Sequence, residues 1–164
     1  FMAGLACFMG LRQIGASVIR VGSGVPELQW DSILKFQPTY IICVPSFLLK
    51  LINYAKTHGI DMASTSVTAA ICIGEPVRNP DFELNTLGSK ITSDWDIDLY
   101  TTYASTEMQT AFTECEHHLG GHLQPERIIA EILDRVISCG RIMMLVTAEG
   151  TPCVWELLWA ENNT

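Results

Sequence analysis

Apolar and polar positions follow helical spacing in several segments of the chain. Residues 1–14 are apolar with small residues among them and predict a helix that ends at Gly15. Residues 27–36 and 46–58 carry apolar positions three and four apart, and Gly59 follows the second of these segments. This spacing predicts two amphipathic helices, the second of which ends at Gly59.

Short runs of β-branched and other apolar residues separate these helices. They predict strands over residues 16–21, 40–44, 67–73, 96–101 and 128–133. A further helix is predicted over residues 80–87, with Gly88 at its end. Because strands and helices alternate, we expect an α/β fold with a doubly wound, mostly parallel sheet and flanking helices. In such sheets, ligands bind beyond the carboxyl ends of the strands.

Composition narrows the classes of protein that fit this pattern. The chain has 164 residues, of which 48% are hydrophobic and 17% charged, enough for one packed domain. A net charge of −8 without a Lys/Arg cluster argues against nucleic acid as a partner. No apolar run is long enough to cross a bilayer, and residues 1–9 lack the features of a signal peptide. Scattered cysteines in apolar runs indicate buried thiols, so we expect a soluble, cytoplasmic protein.

A short polar block follows the strand predicted over residues 96–101. It is the run Tyr103-Ala104-Ser105-Thr106-Glu107. Small residues allow the backbone to approach a ligand, a Thr hydroxyl can bond a phosphate oxygen, and a carboxylate suits Mg²⁺. The block therefore predicts a site for nucleotide phosphate and metal. Taken alone, it also fits a loop at a strand end with a solvated Glu.

Two more blocks carry candidate chemistry. Gly74-Glu75-Pro76 follows the strand predicted over residues 67–73 and, taken alone, is typical of a turn. The second block contains one cysteine and three histidines within eight residues, namely Cys115, His117, His118 and His122. Because zinc commonly takes Cys and His ligands, this clustering predicts a zinc site. The alternative is a surface loop in which the histidines have no shared role.

Together the three blocks resemble the phenylacetate–coenzyme A ligase branch of the adenylate-forming enzymes, and they occur in the family's order. The resemblance implies that Gly74, Glu75 and Pro76 lie along the adenine. It also implies nucleotide binding by the run from Tyr103 to Thr106. In that run Tyr103 faces the adenine and Thr106 bonds the α-phosphate, while Glu107 holds Mg²⁺, so that Thr106 and Glu107 are the catalytic residues. Ala104 stands where the family usually has Gly.

The same resemblance implies a structural zinc ion. Cys115 and His122 match the family's Glu-Cys followed by Gly-Gly-His. Cys139 partly matches a later Cys-x-Cys-Gly-Arg, with Ser138 in place of the first cysteine. Cys115 and His122 are therefore the expected zinc ligands, with Cys139 or His117 as additional ligands.

The resemblance extends from residue 1 to about residue 134. It implies that residues 1–134 are part of the large nucleotide-binding N-terminal domain and that residues 135–164 are a divergent or disrupted tail. The family's phosphate loop and its Lys-bearing C-terminal domain are missing, so we expect an internal piece of a longer enzyme that is inactive alone. That enzyme would join an aryl or arylacetic acid to coenzyme A with ATP and Mg²⁺, through an acyl-adenylate, and a homodimer is its expected assembly.

Two other classes of protein remain open at this point. A zinc-stabilised binding or scaffold domain, derived from the same fold but without catalysis, is favoured by Ala104 and disfavoured by the intact Thr106 and Glu107. An NAD-type dinucleotide-binding domain also uses an alternating sheet. It is poorly supported, because no Gly-x-Gly-x-x-Gly follows the first predicted strand.

Overall fold

The structure is a computed structural model. It describes residues 2–22, 24–105, 110–125, 128–136, 141–148 and 151–158, the last three ranges as backbone only. The chain divides into two compact units, Phe1–Thr102 with Thr113–Gly121, and Tyr103–Phe112 with His122–Thr164. Within the described residues, no helix is both long and apolar enough to cross a membrane.

Helices and strands alternate through most of the first unit. The elements described along the whole chain are α1 (Met2–Gln13), α2 (Pro26–Phe36), β1 (Tyr40–Cys43), α3 (Pro45–His58), a 3₁₀ turn (Met62–Ser64), β2 (Ala69–Ile73), α4 (Thr86–Asp94), β3 (Asp98–Ser105), β4 (Thr110–Thr113), β5 (Ile128–Val136), β6 (Arg141–Ala148) and β7 (Thr151–Leu158). The first four strands form one sheet in the order β1-β2-β3-β4. Parallel pairing of β1 with β2 and of β2 with β3 confirms the predicted α/β class.

The core of the first unit lies between α2, α3, α4 and the parallel strands. Trp30 of α2 is buried, and its indole N–H donates to the Leu51 carbonyl of α3 at 2.9 Å. The Trp30 and Trp95 rings lie 5.3 Å apart between centroids. Removal of such large apolar surfaces from water is the main stabilising term for a domain of this size. The largest side chains that are fully buried are Trp30, Leu48, Leu51, Ile52, Ile91 and Leu99.

The cysteines of the parallel strands belong to this core, as the sequence predicts. Cys43 and Cys72 are register partners on β1 and β2, and both are free thiols. Burial raises the pKa of each of them to about 12. Their thiols are therefore protonated and unreactive at neutral pH.

Two predicted elements of the first unit are wrong. Residues 16–21 form neither strand nor helix, and most of their side chains are exposed. A β-branched run becomes a strand only when a neighbouring strand takes its backbone hydrogen bonds, and no described strand pairs with this run. The helix predicted over residues 80–87 begins instead at Thr86, because the Asn85 side chain caps it by accepting from the Gly88 N–H at 2.9 Å.

The second unit contains the strand predicted over residues 128–133, which is β5. β5 pairs with β6, and β6 pairs with β7, both in antiparallel register. This three-stranded sheet extends into residues 135–164, for which the sequence predicts no element. The assignment of residues 1–134 and 135–164 to a domain and a tail stays a prediction.

Candidate functional site

The turn Gly74-Glu75-Pro76 follows the buried strand β2. Gly74 has a φ of +79°, in the left-handed region that L side chains rarely adopt. A Cβ built on Gly74 would have only the Val44 side chain nearby, at 3.9 Å. The backbone conformation of the turn, and not lack of space, therefore requires glycine.

The Glu75 carboxylate binds the N-terminus of α3. The Ser46 backbone N–H donates to Oε2 of Glu75 at 2.8 Å, and the Ser46 hydroxyl donates to Oε1 at 3.0 Å. The residue at the N-cap position of α3 is Val44, whose side chain makes no capping hydrogen bond. Glu75 thus supplies both the acceptor and the negative charge that a helix N-terminus favours. Sequence reasoning missed this role, and its contact with adenine stays a prediction.

Pro76 and the residue that follows it are held by the start of α4. The Pro76 side chain is exposed, and its carbonyl accepts a hydrogen bond from the Asn85 amide at 2.9 Å. A Cβ built on Gly88 of α4 would lie 2.4 Å from the Val77 carbonyl oxygen. Only glycine allows this approach, so Gly88 is a packing residue inside α4 and not the end of a helix. The turn is therefore supported from α3 and from α4.

A buried carboxylate, Glu114, lies directly after β4. Its side chain is 0% exposed. Arg78 Nε donates to Oε2 of Glu114 at 3.0 Å and to Oε1 at 3.3 Å. The Thr101 backbone N–H also donates to Oε1, and His118 Nδ1 lies 3.3 Å from Oε2. Both carboxylate oxygens therefore have donors, as burial of a charged group requires.

Arg78 uses its remaining nitrogens on backbone carbonyls. Nη1 donates to the Phe82 carbonyl and Nη2 to the Leu99 carbonyl, each at 3.1 Å. Its side chain is 14% exposed. Sequence reasoning missed the pairing of Arg78 with Glu114, because the two residues lie far apart in the sequence. No local pattern around Glu114 indicates this partner, because the run before it, Thr110–Thr113, is only half apolar.

The end of β3 carries the second predicted block and belongs to the second unit. Tyr103 is 40% exposed, and its ring centroid lies 6.2 Å from that of Phe112. Ala104 lies inside β3, where the backbone is extended, so its methyl group meets no left-handed penalty. Ser105 is the last residue of β3. Thr106 and Glu107 lie outside the described residues, and their roles stay predictions.

The predicted zinc ligands fall into different parts of the molecule. Cys115 is a half-buried free thiol of the first unit, and His122 is an exposed residue of the second. Cys139 lies outside the described residues. In the part of the chain with described side chains, no three or more His, Cys, Asp or Glu residues are grouped to hold a metal ion. The zinc site stays a prediction.

His118 occupies a special position within the Cys/His block. Its φ is +55°, and its backbone N–H donates to the Cys115 carbonyl at 3.1 Å. Its ring centroid lies 5.1 Å from that of Tyr100. Burial, followed by the charge of Asp98, raises the pKa of Tyr100. His118 thus contacts Glu114 and β3, whereas His117 is exposed.

Sequence comparison relates the chain to one group of enzymes. No family model matches it. The chain is 32% identical over 76 residues to a phenylacetate-coenzyme A ligase of Aromatoleum evansii, which is 46% of this chain and 17% of that protein. It is 27% identical over 141 residues to a phenylacetate-coenzyme A ligase of Thermus thermophilus, covering 82% of this chain and 29% of that protein. The chain thus spans less than a third of the length of either relative.

Solved structures of similar fold point the same way. A 2-hydroxyisobutyryl-CoA ligase in complex with R3-HIB-AMP matches 93% of this chain and 34% of its own, with a TM-score of 0.71 and 18% identity. The open conformation of that ligase, with 2-HIB-AMP and CoA, matches 87% of this chain with a TM-score of 0.67. Identities this low show the fold alone. The chain is thus similar in sequence to part of the phenylacetate-coenzyme A ligases and similar in fold to part of a CoA ligase.

Proposed function

We propose that this protein acts in the ATP-dependent joining of an aryl or arylacetic acid to coenzyme A, through an acyl-adenylate. Its relatives are phenylacetate-coenzyme A ligases, and the 2-hydroxyisobutyryl-CoA ligase of similar fold carries 2-HIB-AMP and CoA in its structure. This agreement supports adenylate-forming CoA ligation in the family. The names of the sequence relatives, phenylacetate-coenzyme A ligases, support the choice of an aryl or arylacetic acid.

The pairing of β2 with β3 supports the assignment of particular residues of this chain to the nucleotide. β2 and β3 are adjacent and parallel, in register as far as the pair Ile73 and Thr102. Gly74-Glu75-Pro76 follows β2, and Tyr103, Ala104 and Ser105 are the last three residues of β3. These residues assigned to the nucleotide thus lie at the carboxyl ends of neighbouring parallel strands, where open α/β sheets bind ligands.

The reaction has two steps. A carboxylate oxygen of the acid attacks the α-phosphorus of ATP, and pyrophosphate leaves. The thiol of coenzyme A then loses its proton, its sulfur attacks the acyl carbon, and the bond to AMP breaks so that AMP leaves. The first step brings an anion to a polyanion, so donors and cations around the phosphates lower its barrier. In this assignment Thr106 would donate to the α-phosphate, and Tyr103 would stack on the adenine. Glu107 would hold Mg²⁺, which would neutralise part of the phosphate charge.

Calorimetric titration with AMP tests the nucleotide assignment in the complete protein that carries this chain. Tyr103→Ala should weaken AMP binding by about 1–3 kcal/mol, the usual contribution of a base stacked on an aromatic side chain. Tyr40→Ala is the matched control, because Tyr40 is also an exposed tyrosine of a strand, at the amino end of β1. Equal AMP affinity in the two variants and the wild type would remove Tyr103 from the site.

A further inference from the structure

Glu114 connects three separate segments of the first unit. It binds Arg78, which follows the Gly74-Glu75-Pro76 turn, and it lies against His118 in the turn after β4. It also forms two hydrogen bonds with the backbone of Thr101 in β3. The Thr101 N–H donates to the Glu114 carboxylate, and the Glu114 N–H donates to the Thr101 carbonyl at 3.1 Å. Arg78 adds a hydrogen bond to the Leu99 carbonyl, so the pair holds β3 on both sides of Tyr100.

We propose that Arg78 and Glu114 are positioning residues for the nucleotide site. This inference rests on the proposed function, in which Glu75, Pro76 and Tyr103 contact the nucleotide. Arg78 lies two residues after Pro76. Thr101 lies two residues before Tyr103 on the same strand, about 7 Å away at the usual rise of a strand. One buried ion pair therefore holds the chain two residues after Pro76 and two residues before Tyr103.

The chemistry of the pair favours a geometric role over simple stabilisation. A buried ion pair loses the hydration of both groups, and apolar residues of similar volume often stabilise a core equally well. Apolar residues cannot, however, donate to the Leu99 carbonyl or accept from the Thr101 N–H. The Arg78 guanidinium has the planar fork that reaches two carboxylate oxygens and two carbonyls at once. The pair thus fixes the backbone of β3 through directional hydrogen bonds. Apolar contacts are not directional and would fix its position less closely.

Glu114→Gln and Arg78→Lys test the proposal in the complete protein that carries this chain. Glu114→Gln keeps the shape of the side chain and removes its negative charge. Arg78→Lys keeps the positive charge and removes the planar guanidinium group. The readout is ATP–pyrophosphate exchange with phenylacetate as the acid. Loss of positioning should lower kcat/KM for ATP by about 10- to 100-fold, the usual effect of a small displacement at a reacting group, and should leave the KM for the acid unchanged.

The control is Leu51→Ala, a truncation in α3 of a side chain that is 1% exposed. Urea unfolding measures the free energy of unfolding of each variant. The control and the ion-pair variant are then assayed at temperatures at which these free energies are equal. Equal effects of the control and the ion-pair variants on kcat/KM for ATP would overturn the proposal, because general destabilisation would then explain them. Should Glu114→Gln fail to fold, Arg78→Lys provides the comparison.

Hydrogen exchange separates failure of this inference from failure of the proposed function. If the wild type shows no exchange of pyrophosphate, the proposed function fails, and the amides of residues 101–105 still decide whether the pair anchors β3. Faster hydrogen exchange at these amides in Glu114→Gln than in Leu51→Ala supports anchoring of β3 by the ion pair. Equal rates in the two variants overturn it.

Discussion

Replacement of Glu75 by Ala separates a structural role of this residue from a role in nucleotide binding. The wild-type carboxylate accepts two hydrogen bonds from Ser46 at the N-terminus of α3. In Glu75→Ala the first turn of α3 loses its acceptor and the negative charge beside its dipole. Water can replace part of the hydrogen bonding, because Ser46 is exposed and Glu75 is half-buried.

The expected loss of stability follows from these contacts. Loss of a capping side chain costs about 0.5–2 kcal/mol, and loss of a charge at a helix N-terminus costs about 0.3–1 kcal/mol. Since the site is partly hydrated, we expect Glu75→Ala to lower the free energy of unfolding by about 1–2 kcal/mol. Ser46→Ala keeps the backbone N–H bond and loses the hydroxyl bond, so it should cost about half as much.

Urea unfolding followed by tryptophan fluorescence measures this loss. Trp30 and Trp95 are buried in the first unit and report its unfolding, provided that every other tryptophan of the protein, including Trp155 and Trp159, is changed to Phe in every variant. Glu83→Ala is the matched control, because Glu83 is exposed and lies in the same connection between β2 and α4. A free energy of unfolding equal to that of the control would refute the capping role. If Glu75 also contacts adenine, Glu75→Ala alone weakens AMP binding, whereas Ser46→Ala does not.

Three further predictions concern packing, metal and thiols. Gly88→Ala should lower the free energy of unfolding by about 1–2 kcal/mol in urea, because overpacking against the Val77 carbonyl outweighs the gain in helix propensity; an unchanged value would contradict the close approach. Cys115→Ser with His122→Ala should abolish bound zinc in elemental analysis and remove the effect of a chelator on the melting temperature, whereas absence of zinc from the wild type would end that assignment. Iodoacetamide at pH 8 should label Cys115 at least about tenfold faster than Cys72, whose pKa is raised to about 12, as read by peptide mass spectrometry; equal rates would show that Cys72 is accessible.

The elements with strong local signals could be predicted from the sequence. α3 begins at a proline and ends before Gly59, which has a φ of +65° and closes the helix as predicted. β1 and β2 are short apolar runs next to strong helices, and both lie within one or two residues of the predicted bounds. These signals are contained in a few neighbouring residues, so no knowledge of distant contacts is needed.

The errors arise where distant contacts decide the structure. Gly88 looks like the end of a helix, but its place is set by contact with Val77, eleven residues earlier in the chain. The capping residue Asn85 was the local signal for the true start of α4. The Glu75 and Glu114 carboxylates both bind partners that lie far away in the sequence. A sequence shows that such carboxylates exist, but their partners follow only from the packing of the strands and helices.

The central claim is formation of an acyl-adenylate, and ATP–pyrophosphate exchange tests it most directly. The assay uses the complete protein that carries this chain, with phenylacetate and a series of Mg²⁺ concentrations. We expect exchange that depends on phenylacetate and Mg²⁺, and Glu107→Gln should lower its rate by at least about tenfold, as expected for a disturbed metal site. Glu116→Gln, which changes an exposed carboxylate, should retain the wild-type rate. Absence of phenylacetate-dependent exchange, or equal rates in Glu107→Gln and the wild type at every Mg²⁺ concentration, would contradict the account.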